Sequence, residues 1–327
     1  MRISVVIATY NRAALLQSTL QALRAQDYRP GDEVIVVDNG SSDDTPQVVA
    51  RAARDFPVPL RQVRETTPGK SAALITGIHM AAGGVLALTD DDVQVADNWV
   101  AAVRQIFADP AIALVGGRVD PMWERPAPWW LRVEAGEGGR YGSLASPLAL
   151  LHYGEAQELG HRTAVGANLA VRRDVLDALG GMRADLGRRR GTLLCGEDHD
   201  LCQRAVAAGL RCEYRPELRV RHWVPVERTR LRYFLRWFFW SGVTHALLET
   251  PAAAHRHFTK QLILSSLGAV GHLVTGRPRH AVAQAMDAAF AAGYLVQRIK
   301  LLRRGTPSPV QSPTDASTAR EQAGVHG

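Results

Sequence analysis

ISVVIATYNRAALLQSTLQALRAQDYRPGDEVIVVD, Ile3 to Asp38, holds two apolar β-branched runs, Ile3 to Ala8 and Glu33 to Asp38, around a helical pattern from Ala13 to Ala25. The alternation continues. A helical pattern over Asp44 to Arg54 is followed by the extended LRQVRE, a helical pattern over Lys70 to Ala81, and the apolar run Val85 to Thr89. Strands alternating with helices of this length build right-handed βαβ units and a mostly parallel sheet. Ligands of such sheets bind beyond the carboxyl ends of the strands. Thr9 to Asn11, Asp38 to Thr45 and Asp90 to Asp92 each follow a strand directly, so they share one rim.

In VLALTDDDVQ three aspartates, Asp90, Asp91 and Asp92, adjoin the end of that last strand. Mutual repulsion makes it costly to ionise all three unless a cation sits among them. Hard oxygen ligands suit magnesium and manganese. The competing explanation is an acidic loop that caps a helix beginning near Asp97, which accounts for one aspartate better than for three. In an extended segment Asp90 and Asp92 point the same way and Asp91 turns elsewhere.

With 327 residues, 46% of them hydrophobic, the chain can fill one large domain, or a domain plus an appendage. Lysine and arginine number 39 against 32 acids, a formal charge of +7 with a pI near 9.7. That balance favours anionic partners: phosphorylated substrates, anionic lipid or nucleic acid. Cys195, Cys202 and Cys212 lack CxxC spacing, which suggests neither a disulfide framework nor a zinc site and fits a reducing cytoplasm. The first apolar run is shorter than a signal-peptide core. No stretch reaches the roughly 18 apolar residues of a membrane span. Gln261 to Thr275 and Ala281 to Val296 come nearest, and their polar interruptions mark helices that need a partner or an interface.

Beyond Val119 the pattern loosens through the prolines and tryptophans of Pro121 to Trp130 and the glycines of Gly136 to Gly142. TAVGANLAVRRDVLDALGGM then reads as strand, turn, strand and helix, and GEDHDLCQRAVAAGLRCEY as a helix from about Asp198 followed by a strand. Only helices are expected from Val226 to Arg304. The Pro-, Ser- and Thr-rich stretch 305–327 is expected to be disordered.

VVIATYNRAALL, VIVVDNGSSDDT, PGKSAALITGI, LALTDDDV, GANLAVRR and GEDHDLCQRAVAAG occur in an order and spacing similar to those of family 2 glycosyltransferases, inverting enzymes of the GT-A fold. The resemblance covers Arg2 to His222. It implies a GT-A nucleotide-diphospho-sugar transferase domain over 1–225, with a C-terminal helical region, 226–304, and the tail, 305–327, beyond it.

Several residue roles follow from this resemblance. Asp38, helped by Thr9 and Tyr10, would read the donor's base, although an Asx turn with Asn39 and Gly40 explains Asp38 equally well on sequence grounds. Lys70, after Gly69 at a helix start, would pair with the donor's phosphates. Five residues further on, Ile75 replaces the family's customary asparagine, which puts one polar donor contact in question. Asp90, Asp91 and Asp92 fill the DxD position, which binds the donor's ribose and a divalent ion, Mn2+ or Mg2+. Which of the three ligates the ion stays open, and His222 is a further candidate ligand. Asp198, in the ED pair with Glu197, would be the general base on the acceptor hydroxyl, whereas helix capping is the competing account of these acids. Gly166, Ala167 and Asn168 resemble the turn that lines the acceptor side. Cys195 is expected to be a packed residue. YFLRWFFW, Tyr233 to Trp240, carries Tyr233 where processive synthases have glutamine, which argues against processive synthesis.

The expected partners are a nucleotide-diphospho-sugar donor and a saccharide, lipid-linked or small-molecule acceptor. The arginines between Arg211 and Arg236, interleaved with aromatics, could meet a phosphorylated acceptor or a membrane surface. The expected location is the cytoplasm, with peripheral contact to the inner face of the cell membrane. A Rossmann dehydrogenase would need a glycine-rich turn after the first strand, and ATYNRAAL has no glycine. A basic nucleic-acid- or membrane-binding protein without transferase activity is the alternative. Three aspartates on the rim disfavour a nucleic-acid partner.

Overall fold

The computed structural model describes residues 1–134, 140, 142–249 and 255–303. Strand β1 (Ile3–Thr9), helix α1 (Ala13–Arg24) and strand β2 (Glu33–Asp38) form the first βαβ unit. Helix α2 (Thr45–Ala52), strand β3 (Leu60–Arg64), helix α3 (Lys70–Met80) and strand β4 (Val85–Asp90) continue it. Helix α1 buries Leu16, Thr19, Leu20 and Leu23, one face at helical spacing. All six residues of β2 are buried, as expected of a strand covered on both faces. Strand β1 pairs in parallel with β2 and β4, and β2 with β3.

The remaining strands are β5 (Val93–Val95), β6 (Ile112–Trp123), β7 (Gln157–Glu158), β8 (Asn168–Arg172) and β9 (Arg211–Val224). Between them lie α4 (Trp99–Ile106), α5 (Arg173–Ala178) and α6 (Glu197–Ala207). The described residues build one nine-stranded sheet, ordered β3-β2-β1-β4-β8-β6-β9-β5, with β7 attached to β9. It is mostly parallel. Strand β8 runs antiparallel to β4 and β6, and β5 antiparallel to β9. The strand expected just before Gly166 does not form: Ala164 is buried, and its N–H donates to Cys202 Sγ at 3.4 Å instead of entering a ladder.

After β9 come α7 (Leu231–Leu248), α8 (His255–Val274) and α9 (Pro278–Arg303). None of the described helices is long and apolar enough to cross a membrane. Helix α7 joins the main core through Phe234, which is fully buried, and the Tyr233 hydroxyl donates to Pro147 O at 3.0 Å. Helices α7 and α9 touch backbone to backbone. A Cβ on Gly242 would lie 2.0 Å from Phe290 O, and one on Gly293 would lie 1.8 Å from Phe239 O. The tail 305–327 lies outside the described residues.

Candidate active site

Parallel pairing ends β1, β2 and β4 side by side at Thr9, Asp38 and Asp90. A cavity of about 580 Å³ opens beyond these ends and reaches across to the start of α6 and the inner side of α7.

At its sheet side sit the aspartates. The chain is extended only to Asp90; Asp91 and Asp92 make a turn into β5. Pairing of β5 with β9 sets Val93 opposite His222, and Trp223 N–H donates to Asp92 O at 2.8 Å. As a result Asp90, Asp92 and His222 each offer a ligand atom, all within 4.8 Å of one another. Asp91 faces the protein instead, accepting from Thr9 Oγ1 and Arg12 at 2.8 Å each. Buried Asp92 Oδ1 lies 3.2 Å from His222 Nε2 yet has no aligned hydrogen bond among the described residues. Two carboxylates, an imidazole and an oxygen left without a donor fit a divalent cation.

Four basic groups surround this cluster. Lys70 Nζ lies 2.5 Å from Asp90 Oδ1. Arg12 bridges Asp91 and Asp92 at 2.8 and 2.7 Å, and Arg228 approaches Asp92 at 3.6 Å. Arg188 donates to the Tyr233 hydroxyl at 3.1 Å. Burial opposes the Lys70 ammonium, but Asp90, Glu197 and Asp198 outweigh it and raise its pKa. Burial likewise works against the Asp92 carboxylate, yet His222, Arg228 and Arg12 hold it well below the usual range. Asp91 is pushed up to about 6 by burial, with the charge of Asp92 adding to it against Arg12.

On the opposite wall α6 starts at Glu197, after Gly196 at φ 104°. A Cβ on Gly196 would meet Thr244 Cγ2 of α7 at 2.6 Å, so only glycine lets α7 lie this close. Asp198 faces the cavity and accepts from Gly166 N–H at 2.9 Å and from His199 N–H at 2.8 Å. Glu197 is buried, and its Oε2 has no hydrogen-bond partner among the described residues. Burial, with the neighbouring Asp198 charge, pushes the Glu197 carboxyl up to about 7 against the opposing effect of Lys70. The Cys195 thiol is pushed up to about 12, chiefly by burial, which removes it as a nucleophile near neutral pH.

The other sequence candidates divide. Thr9, Tyr10 and Gly166 line the cavity, and a Cβ on Gly166 would sit 3.6 Å from Lys70 Nζ and 3.7 Å from Asp198 Oδ2. Asp38 is buried and accepts from Ser41 N–H at 2.8 Å, three residues on rather than at the Asx-turn position Gly40, while Asn39 lines the cavity beside it. Ala167 and Asn168 are fully buried behind the wall. Asn168 accepts from Trp99 Nε1 at 2.9 Å and donates to Arg118 O and Leu218 O, bracing three elements. Sequence reasoning missed Arg12 and the run Arg188 to Arg190, in which Arg190 stacks 4.5 Å over the Tyr10 ring. Arg12 directly follows TYN on the rim, and three arginines between Gly187 and Gly191 were a visible signal.

The sequence model described as Glycosyl transferase family 2 matches residues 4–180. The chain belongs to glycosyltransferase family 2. The transferase is 26% identical over 260 residues to the glucosyl-dolichyl phosphate glucuronosyltransferase of Haloferax volcanii, covering 76% of this chain and 78% of that one. It is 31% identical over 272 residues to a pre-mycofactocin glycosyltransferase of Mycobacterium tuberculosis, covering 80% of this chain but 50% of the relative. Among solved structures it resembles a mannosyltransferase from Pyrobaculum calidifontis in complex with GDP-Man and Mn2+, at TM-score 0.57 and 22% identity over 98% of this chain and 79% of that one. It also resembles S. aureus TarS in complex with UDP, at TM-score 0.52 and 14% identity over 95% of this chain and 94% of that one. These likenesses give the transferase a GT-A fold.

Proposed function

We propose that the transferase binds a nucleotide-diphospho-sugar and a divalent ion at Asp90, Asp92 and His222, and uses Asp198 as the general base on an acceptor hydroxyl. The observation that carries this reading is the placement of Asp198 across one cavity from the Asp-Asp-His cluster. A bound divalent ion would neutralise charge on the departing diphosphate. Lys70, Arg12, Arg188 and Arg228 supply further positive charge to the same groups. Tyr10 and Arg190 offer a stacking edge for the base, and Asp38 orders the loop beneath it. Gly166 N–H fixes the Asp198 carboxylate, leaving it free to take the acceptor proton as the hydroxyl attacks and the anomeric configuration inverts. The relatives' names include a transferase of glucosyl-dolichyl phosphate. A lipid-linked saccharide is accordingly the acceptor class we favour. A cytoplasmic reaction fits the three free cysteines.

The test is calorimetric titration of UDP, GDP and dTDP into the protein with and without Mn2+. One nucleotide is expected to bind at least about tenfold more tightly with the metal. Asp92→Asn should abolish that difference. Nucleotide binding that ignores both the metal and Asp92→Asn overturns the assignment.

A further inference from the structure

Helices α8 and α9 form an antiparallel hairpin. The rings of Phe258 and Tyr294 lie 3.9 Å apart at one end, and those of His272 and His280 5.2 Å apart at the other. The inner faces are closed by Phe258, Ser265, Met286 and Tyr294, all buried. The outer face of α8 is the reverse of what water favours. Ile263, Leu264, Leu267, Val270, Leu273 and Val274 are between 56% and 83% exposed. Most of them recur at the three- and four-residue spacing of one helical stripe. At its far end α9 adds Val296, Ile299 and Leu302, also exposed. Six contiguous exposed aliphatic residues exceed the scattered apolar side chains of an ordinary surface.

The charge around this face has one sign. Between residues 250 and 304 the sequence has eight arginines and lysines and a single acid, Asp287. Lys260, Arg277, Lys300 and Arg303 are exposed along the hairpin, whereas Arg298 is turned inward and buried. Trp129, 60% exposed, is held at the hairpin's turn by Arg279, which donates to its carbonyl at 3.0 Å and lies 5.7 Å over its ring. Aliphatic stripe, flanking cations and a fixed aromatic are what a helix needs to lie in the headgroup layer of a bilayer. A second copy would bring the same positive charge to the face and be repelled by it.

We propose that the α8–α9 hairpin is a membrane-docking surface, with the stripe from Ile263 to Val274 inserted among the acyl chains of an anionic lipid leaflet. The stripe contributes no residue to the lining of the catalytic cavity. The experiment is sedimentation of the full chain with sucrose-loaded vesicles of phosphatidylcholine containing phosphatidylglycerol, against vesicles of phosphatidylcholine alone. The protein is expected to pellet with the anionic vesicles. Lys260→Ala and Arg277→Ala should each weaken binding about fivefold. Leu267→Ser combined with Val270→Ser and Val274→Ser should abolish it while nucleotide affinity stays unchanged, which separates this surface from the cavity. Wild-type protein that stays in the supernatant with anionic vesicles overturns the proposal. So does a triple-serine variant that still pellets like wild type. A dimer in sedimentation equilibrium that the triple-serine variant dissociates assigns the face to a second copy and likewise overturns it.

Discussion

Replacing Glu197 by glutamine tests the electrostatics of the cavity without touching its cation cluster. Glu197 is 6% exposed, its Oε2 has no partner among the described residues, and burial together with Asp198 lifts its pKa from the ordinary 4.5 to about 7. Between those two values the folded protein holds a proton that the unfolded chain has released. Stability therefore falls as the pH rises through that window. The favourable contribution is fully present below pH 4.5 and gone above about 7. At ~1.4 kcal/mol for each pH unit, the whole window is worth about 3 kcal/mol. Glutamine cannot ionise, so the variant escapes this loss. Its stability relative to wild type should climb by about 3 kcal/mol between pH 5 and pH 8. The assay is urea denaturation of both proteins in chelator-treated buffer at several pH values. With a slope of roughly 3 kcal/mol/M, the difference between the two midpoints should change by about 1 M across that range. Asp91, itself pushed up to about 6, tilts both curves alike and drops out of the difference. Parallel curves at every pH would show that the proton does not reside on Glu197.

Asp198→Asn should lower turnover by about 10² to 10⁴ with donor affinity nearly unchanged, since a base on the acceptor acts in the transition state; near wild-type turnover would move the base elsewhere. Arg12→Ala removes a cation 2.7 Å from Asp92. It should raise Mn2+ affinity in the absence of nucleotide about tenfold, read by calorimetry; weaker Mn2+ binding would contradict competition for that carboxylate. Gly166→Ala meets only ordinary contacts with Lys70 and Asp198. It should melt like wild type while acceptor-dependent turnover falls at least about tenfold, because its methyl enters the space between donor lysine and base; unchanged turnover would take the acceptor away from this turn.

In the βαβ half β1, β2 and β4 were legible because each is a short apolar run buried on both faces. Such runs announce themselves without knowledge of their neighbours, whereas β3, with no buried residue, was read from its place in the alternation. Strand β6 was not legible, because Gly116, Gly117 and Pro121 interrupt it, yet eleven of its residues pair with β9. Within the site, Asp90 to Asp92 and Glu197 to Asp198 stand in local patterns that sequence displays. Asn168 stands in one too, but its side chain is spent on Trp99, Arg118 and Leu218, partners that only tertiary structure brings together. The same holds for Arg12 and Arg188. Their signal is the company they keep in space.

Glycine-mediated contact between α6, α7 and α9 bears on how the polypeptide can be dissected. Thr244 of α7 is pressed on Gly196 and donates to Cys195 O at 3.0 Å, two residues before the helix that carries Asp198. Helix α7 in turn leans on α9 with no side chain between their backbones at Gly242 and Gly293. Bare main-chain contacts have little compliance, so a displacement of the last helix is handed on to the tilt of the first turn of α6. A fragment ending at Pro225 would retain every strand and all of Asp90, Asp92 and His222. It would still lose the abutment that sets the pitch of Asp198, and nucleotide binding in such a fragment should outlast transfer.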